Sequence, residues 1–120
     1  MLPLRVRILR VSGQTVVCTR GDIDLMSAPQ FESTVMAEIR GGCRTIVINF
    51  SHTSYVDSSA LAALLRVNRE IRRLGGRMLV VGCQRHVARV LDVVGFRSLF
   101  PIVPRQTGAE RHAALSPAPA

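Results

Sequence analysis

In the segment Tyr55-Val56-Asp57-Ser58-Ser59-Ala60-Leu61, one carboxylate and two hydroxyls stand directly ahead of an apolar run with helical spacing. A polar side chain at that place caps a helix. Asp57 or Ser58 can accept a hydrogen bond from an otherwise unpaired first-turn N–H, which is typically worth about 1 kcal/mol. A hydroxyl in the first turn also faces the positive end of the helix dipole, so a phosphoryl group carried there is compatible with the fold. It would add about −1.5 to −2 charges to the surface that the turn presents. The segment thus has the chemistry of a capped helix start and of a charge switch.

Other chemistries fail on spacing. All sixteen basic residues are arginine, so the phosphate-loop pattern G-x-x-x-x-G-K-[ST] cannot occur, and neither G-x-G-x-x-G nor G-x-S-x-G is present. His52, His86 and His112 show no H-x-x-x-H or H-E-x-x-H spacing, and Cys18, Cys43 and Cys83 form no C-x-x-C pair, so no metal site is expected. Three widely separated cysteines read as reduced structural thiols. Asp22 and Asp24 are two close carboxylates, but acids in a loop after a strand cap turns and prepare the next helix. No catalytic residue, metal or cofactor is assigned, and the chain is not expected to be an enzyme.

The 120 residues suit one domain with one core. At 48% hydrophobic and 4% aromatic, with no Trp, that core must be built of Val, Leu, Ile and Ala, and a base-stacking platform is disfavoured. No stretch approaches the roughly 18 uninterrupted apolar residues that span a bilayer, and the N-terminus alternates Arg5, Arg7 and Arg10 with apolar residues in place of a leader. No membrane association is expected, and the expected setting is cytoplasmic.

The elements that must position the segment follow from periodicity. Leu4 to Ile8 alternates, and Thr15 to Thr19 resumes strand composition after Ser12-Gly13-Gln14, which predicts an antiparallel hairpin. Ser27-Ala28-Pro29-Gln30 reads as a capping box leading into a helix with Phe31, Val35 and Ile39 on one face, closed by Gly41-Gly42. Thr45 to Phe50 does not alternate, as expected of a strand covered on both faces. From Asp57 to Leu74, Ala60, Leu64, Val67, Ile71 and Leu74 share a helical face opposite Arg66, Arg69, Glu70 and Arg73. Met78 to Val81 is a second buried strand, and Val87, Val90, Leu91 and Val94 mark a third helix. Leu99 to Val103 adds an edge strand, because Pro101 excludes a central one. The order ββαβαβα(β) predicts a small α/β sandwich, a mixed sheet of four to five strands with helices packed against it. Residues 1–104 are the expected domain and 105–120 an Ala/Pro-rich flexible tail.

With these elements placed, the sequence resembles a STAS domain of the anti-sigma factor antagonist type over roughly residues 4 to 103. The resemblance is carried by Gly21-Asp22-Ile23-Asp24 with Ser27-Ala28-Pro29, by Ile46-Val47-Ile48-Asn49-Phe50-Ser51, and by Asp57-Ser58-Ser59-Ala60-Leu61, four residues of the five in the family's D-S-S-G-L. Gly75-Gly76, Val90-Leu91 and Gly95-Phe96 complete it. The resemblance implies a partner-switching module. The unphosphorylated protein captures an anti-sigma factor that is also a serine kinase, a sigma factor is released, and the kinase, using ATP, phosphorylates Ser59 and is freed. It also implies a partner-binding rim of Asp24, Asp57, Ser58, Ser59 and Ala60.

Two positions depart from the family pattern. Ala60 stands where the motif has Gly, adding a methyl at the expected partner approach and raising helix propensity by up to about 1 kcal/mol. Asn49 stands where the family usually has Asp, removing a charge from the rim. Other roles of the family, a signalling scaffold or an accessory module of a transporter, are the alternative expectation. The formal charge of +8 is the case for nucleic acid, with Arg66, Arg69 and Arg73 in a helical stripe. The stripe contains Glu70 and no groove-reading motif or stacking aromatic, so a solvated face or a docking surface accounts for it with fewer assumptions.

Overall fold

A computed structural model of the chain describes residues 3–105. The elements are β1 (Arg5–Val11), β2 (Gln14–Arg20), α1 (Ala28–Arg40), β3 (Thr45–His52), α2 (Ser58–Arg73), β4 (Arg77–Cys83), α3 (Arg85–Val93), a 3-10 turn (Phe96–Ser98) and β5 (Ile102–Pro104). The five strands form one sheet in the order β1-β2-β3-β4-β5, with β1 antiparallel to β2 and the remaining pairs parallel. This is the mixed sheet with packed helices that the sequence predicts. The tail expected at 105–120 lies, from residue 106 on, outside the described residues.

The hairpin turns on two residues only. Ser12 and Gly13 both adopt positive φ, 51° and 79°, the geometry whose twist matches that of the flanking strands, and Val11 pairs directly with Gln14. The main core lies between sheet and helices. Val17, Ile46, Ile48 and Val80 meet Phe31, Val35 and Ile39 of α1, Leu64, Val67 and Ile71 of α2, and Val87 and Leu91 of α3.

The non-alternating run of β3 is buried on both faces, Ile46, Ile48 and Phe50 in the main core and Val47 with Val16 and Val81 in a second small cluster that contains no helical residue. Three local expectations are corrected. Ser27 forms no capping box. Its side chain makes no cap bond and its Oγ donates to the Asp22 carbonyl at 3.0 Å, while Gln30 Nε2 reaches the Leu4 carbonyl at 3.3 Å. Val94 leaves the apolar face of α3, because the helix ends at Val93 and Gly95, at φ 80°, turns the chain away. The last strand begins at Ile102 rather than Leu99, since Phe96 and Phe100 pack edge to face at 5.6 Å and hold the preceding residues in a turn. It is an edge strand, as Pro101 requires.

Candidate functional site

In a parallel pair the carboxyl ends of neighbouring strands open on the same edge, and here the loops leaving β2 and β3 are tied together along it. Gly21 N–H donates to the His52 carbonyl at 3.0 Å, Ile23 N–H to Tyr55 at 3.1 Å, and Asp57 N–H to Ile23 at 3.2 Å. Ile23 and Val56 form an isolated parallel bridge and are both buried. Their burial turns the residues between them outward, and the two loops become one rim at the start of α2.

Asp57 is the N-cap, which settles the choice between Asp57 and Ser58. Its Oδ1 accepts from the N–H groups of Ser59 at 2.8 Å and Ala60 at 3.1 Å. Its Oδ2 accepts from Leu25 N–H at 3.0 Å, on the facing loop. Asp24 organises that loop in turn: its Oδ1 accepts from Met26 N–H at 3.0 Å and from Ser27 N–H and Oγ at 3.1 Å. Asp22 accepts from Ser54 Oγ at 3.4 Å. The two acids of the β2 loop are therefore occupied with turn geometry, as expected for acids that cap, and do not form a dyad.

Ser58 is exposed and Ser59 half-buried, so the second serine is less open than the sequence suggests. Neither hydroxyl is hydrogen-bonded to a described residue. The first-turn N–H groups expected to receive a phosphate are already in use, since the Asp57 carboxylate holds those of Ser59 and Ala60. A phosphoryl group on Ser59 would therefore stand beside a carboxylate. Ala60 is 1% exposed and packs in the main core, so its methyl does not reach the rim and cannot obstruct an approaching partner. It drops out of the contact surface expected from the motif. Asn49 is likewise turned to structure: its Oδ1 accepts from Ser51 N–H at 2.9 Å and Ser51 Oγ at 2.6 Å.

Sequence reasoning missed three members of the rim. Leu25 is 71% exposed, Met26 85% and Tyr55 46%, all three within the tied loops. The available signal was Leu25-Met26 itself, an apolar pair between Asp24 and Ser27 that belongs to no helical or strand period.

Elsewhere the chemistry is quiet. No group of three or more His, Cys, Asp or Glu is arranged to hold a metal among the described residues, and His112 lies outside them. The three cysteines are free, and burial pushes the Cys83 thiol up to about 12. Arg66 binds Glu32 through both carboxylate oxygens at 2.7 to 3.0 Å, holding that carboxyl below its usual range, and Arg73 pairs with Glu70 at 2.9 Å. The arginine stripe of α2 is thus partly neutralised. No described helix is long and apolar enough to cross a membrane.

Comparison with known proteins agrees with this architecture. BtrV of Bordetella bronchiseptica is 25% identical over 99 residues, covering 82% of this chain and 85% of that protein. The crystal structure of an anti-sigma factor antagonist from Mycobacterium paratuberculosis superposes with a TM-score of 0.79 at 22% identity, over 93% of each chain. The Bacillus cell fate determinant SpoIIAA in its phosphorylated form gives 0.69 at 21% identity, over 93% of this chain and 100% of that one. At these identities the two structures establish the shared fold. The family model of the STAS domain matches residues 5–109, and the chain belongs to that family.

Proposed function

We propose that this protein is an anti-sigma factor antagonist that works by partner switching. In the unphosphorylated state it captures an anti-sigma factor that is also a serine kinase, so that a sigma factor is released. The kinase then transfers a phosphoryl group from ATP to Ser59 and dissociates. The observation that carries this reading is the placement of Ser59: an unbonded hydroxyl in the first turn of α2, beside a carboxylate that also holds the facing loop. The phosphorylated SpoIIAA structure, a fold relative, supports it.

The geometry gives the switch a physical route. Leu25, Met26 and Tyr55 offer exposed apolar side chains for an interface core, with Ser58, Ser59, Asp24 and Asp57 at its polar edge. A phosphate on Ser59 adds charge next to Asp57, and the repulsion between them weakens the bond from Asp57 to Leu25 N–H. Phosphorylation therefore acts twice, by placing a charge in an interface built around a neutral hydroxyl and by loosening the loop that presents Leu25 and Met26.

Calorimetry with the purified anti-sigma partner tests the reading. Ser59→Ala should bind like the parent, whereas Ser59→Asp should lose about 2 kcal/mol or more, the scale of an uncompensated charge at a desolvated contact. Equal affinity of Ser59→Asp and parent would remove Ser59 from the interface and favour a scaffold role.

A further inference from the structure

The two edges of the sheet are finished differently. β5 is closed to a further strand: it is three residues long, Pro101 precedes it and Pro104 ends it without an N–H. The Pro101 carbonyl accepts from Val80 of β4, so the carbonyl of Ile102, one residue on, points away from the sheet, and Arg97 Nη1 caps it at 3.0 Å. β1 has no such seal along its seven residues. Both turn residues of the hairpin have positive φ, so Val11 and Gln14 exchange hydrogen bonds, and the residues of β1 that bond to β2 are then Val11, Leu9, Arg7 and Arg5. The N–H and C=O groups of Val6, Ile8 and Arg10 point out of the edge, with no partner among the described residues.

The side chains of β1 say what would fit there. Arg5, Arg7, Leu9 and Val11 alternate onto one face, the face on which Val16, opposite Leu9, and Cys18, opposite Arg7, pack in the cluster without helical residues. Arginines on an edge strand repel other cationic strands. Leu9 and Val11, 44% and 41% exposed on the same face, leave apolar surface that charge does not guard. Arg10, on the opposite face, is paired with Glu38 of α1, but Arg5 and Arg7 enter none of the ion pairs among the described residues, and the register partner of Arg5 is another arginine, Arg20. No described strand carries a carboxylate, so a second copy of this chain would add to the positive charge at the edge and not offset it. Charge therefore selects an acidic strand over a copy of the same protein.

We propose that the outer edge of β1 takes up an extended acidic segment of a partner protein as a further strand of the sheet, with carboxylates opposite Arg5 and Arg7 and apolar side chains opposite Leu9 and Val11. Main-chain hydrogen bonds to Val6, Ile8 and Arg10 hold the segment, and its alternate side chains set the choice of partner. In an antiparallel arrangement Arg7 and Leu9 fall in the pairs without hydrogen bonds, where facing side chains come closest. The division of β1 into a charged half and an apolar half fixes the register of the incoming strand. The surface uses no residue of the rim at the start of α2, and the proposal is independent of any role for Ser59.

An NMR titration of the full chain at about 0.15 M salt tests it, with the end-blocked peptide Val-Thr-Val-Thr-Glu-Thr-Glu, written for antiparallel pairing from Val11 back to Arg5, and its counterpart with Lys for Glu. The amide signals of Val6, Ile8 and Arg10 should shift saturably with the Glu peptide and their exchange with solvent should slow, while the amide of Val103 at the sealed edge stays unchanged. Arg5→Gln and Arg7→Gln should each weaken binding about two- to fivefold, the worth of a cross-strand charge pair. The double variant Arg69→Gln/Arg72→Gln, which removes two exposed charges from α2, should bind like the parent, and the Lys peptide should not bind. The proposal is overturned if the Glu peptide leaves these amides unshifted, or shifts them without slowing their exchange, which is charge attraction without a strand. It is equally overturned if the Lys peptide binds as well, if the α2 double variant loses as much affinity as Arg7→Gln, or if protection of these amides grows with protein concentration in the absence of peptide, which would make the occupant a second copy.

Discussion

Asp57 Oδ2 accepts a hydrogen bond from the N–H of Leu25 at 3.0 Å, joining the start of α2 to a loop 32 residues earlier in the chain. The other oxygen of the same carboxylate caps the helix. One side chain thus fixes both halves of the proposed interface, and its two functions can be separated. Asp57→Asn can keep the cap through its amide oxygen, while its NH2 group cannot accept from Leu25. That variant should cost about 1 kcal/mol, the net worth of one hydrogen bond, and Asp57→Ala about 2 kcal/mol, since the cap is lost as well. Urea unfolding gives the stabilities, and amide exchange at Leu25 should accelerate in both variants. An unchanged exchange rate in Asp57→Asn would show that the loop is held by other means.

Ala60 is a core residue that happens to sit in the motif. Ala60→Gly should destabilise the protein by about 1 to 2 kcal/mol, through lost helix propensity and a lost buried methyl, and should leave the rate of phosphorylation essentially unchanged. A chevron or urea series alongside a phosphorylation time course separates the two effects. Faster phosphorylation of Ala60→Gly would return the methyl to the interface.

The limits of the sequence are visible at this rim. Periodicity located the three helices and the first four strands because the apolar positions of these elements are decided by burial, as with Phe31, Val35 and Ile39, whereas the 3-10 turn that delays β5 carries no such period. The Asp-Ser-Ser run marked the start of α2 because capping is a local requirement. What remained hidden depends on tertiary pairing. Ser27 has the right residue type for a cap, but its hydroxyl is engaged with Asp22 and Asp24 of the preceding loop and not with the first-turn N–H groups of α1. Ala60 looks like part of a surface motif, yet its helical phase places it in the core with Leu64 and Val67. Leu25 and Met26 are exposed because Ile23 is pinned to Val56, a contact across sequence that no local pattern announces.

Leu25 and Met26 should contribute affinity and not stability. The double variant Leu25→Ser/Met26→Ser should unfold within about 0.5 kcal/mol of the parent, as expected for exposed positions, while binding of the anti-sigma partner weakens by about 2 kcal/mol or more. Circular dichroism melts and calorimetry make the comparison. Undiminished binding would place the interface elsewhere.

Burial makes Cys83 a source of alkaline instability. Its thiol is pushed up from 9.0 to about 12, so below pH 9 it is protonated in both the folded and the unfolded chain and contributes no pH dependence. Between about pH 9 and 12 the unfolded chain releases this proton and the folded chain does not, so stability falls as pH rises, by up to about 1.4 kcal/mol per unit. Urea midpoints at pH 8 and pH 10.5 should drop less for Cys83→Ala than for the parent. Iodoacetamide at pH 8 should label half-buried Cys43 well before Cys83; equal rates would contradict the burial argument.

The central claim is that Ser59 is the single switch residue, and intact-mass spectrometry of the protein incubated with its partner kinase and ATP tests it most directly. The parent and Ser58→Ala should each gain one increment of roughly 80 daltons, the mass of one phosphoryl group, and Ser59→Ala should gain none. Uptake by Ser59→Ala at the parental rate, or loss of uptake in Ser58→Ala alone, would contradict it.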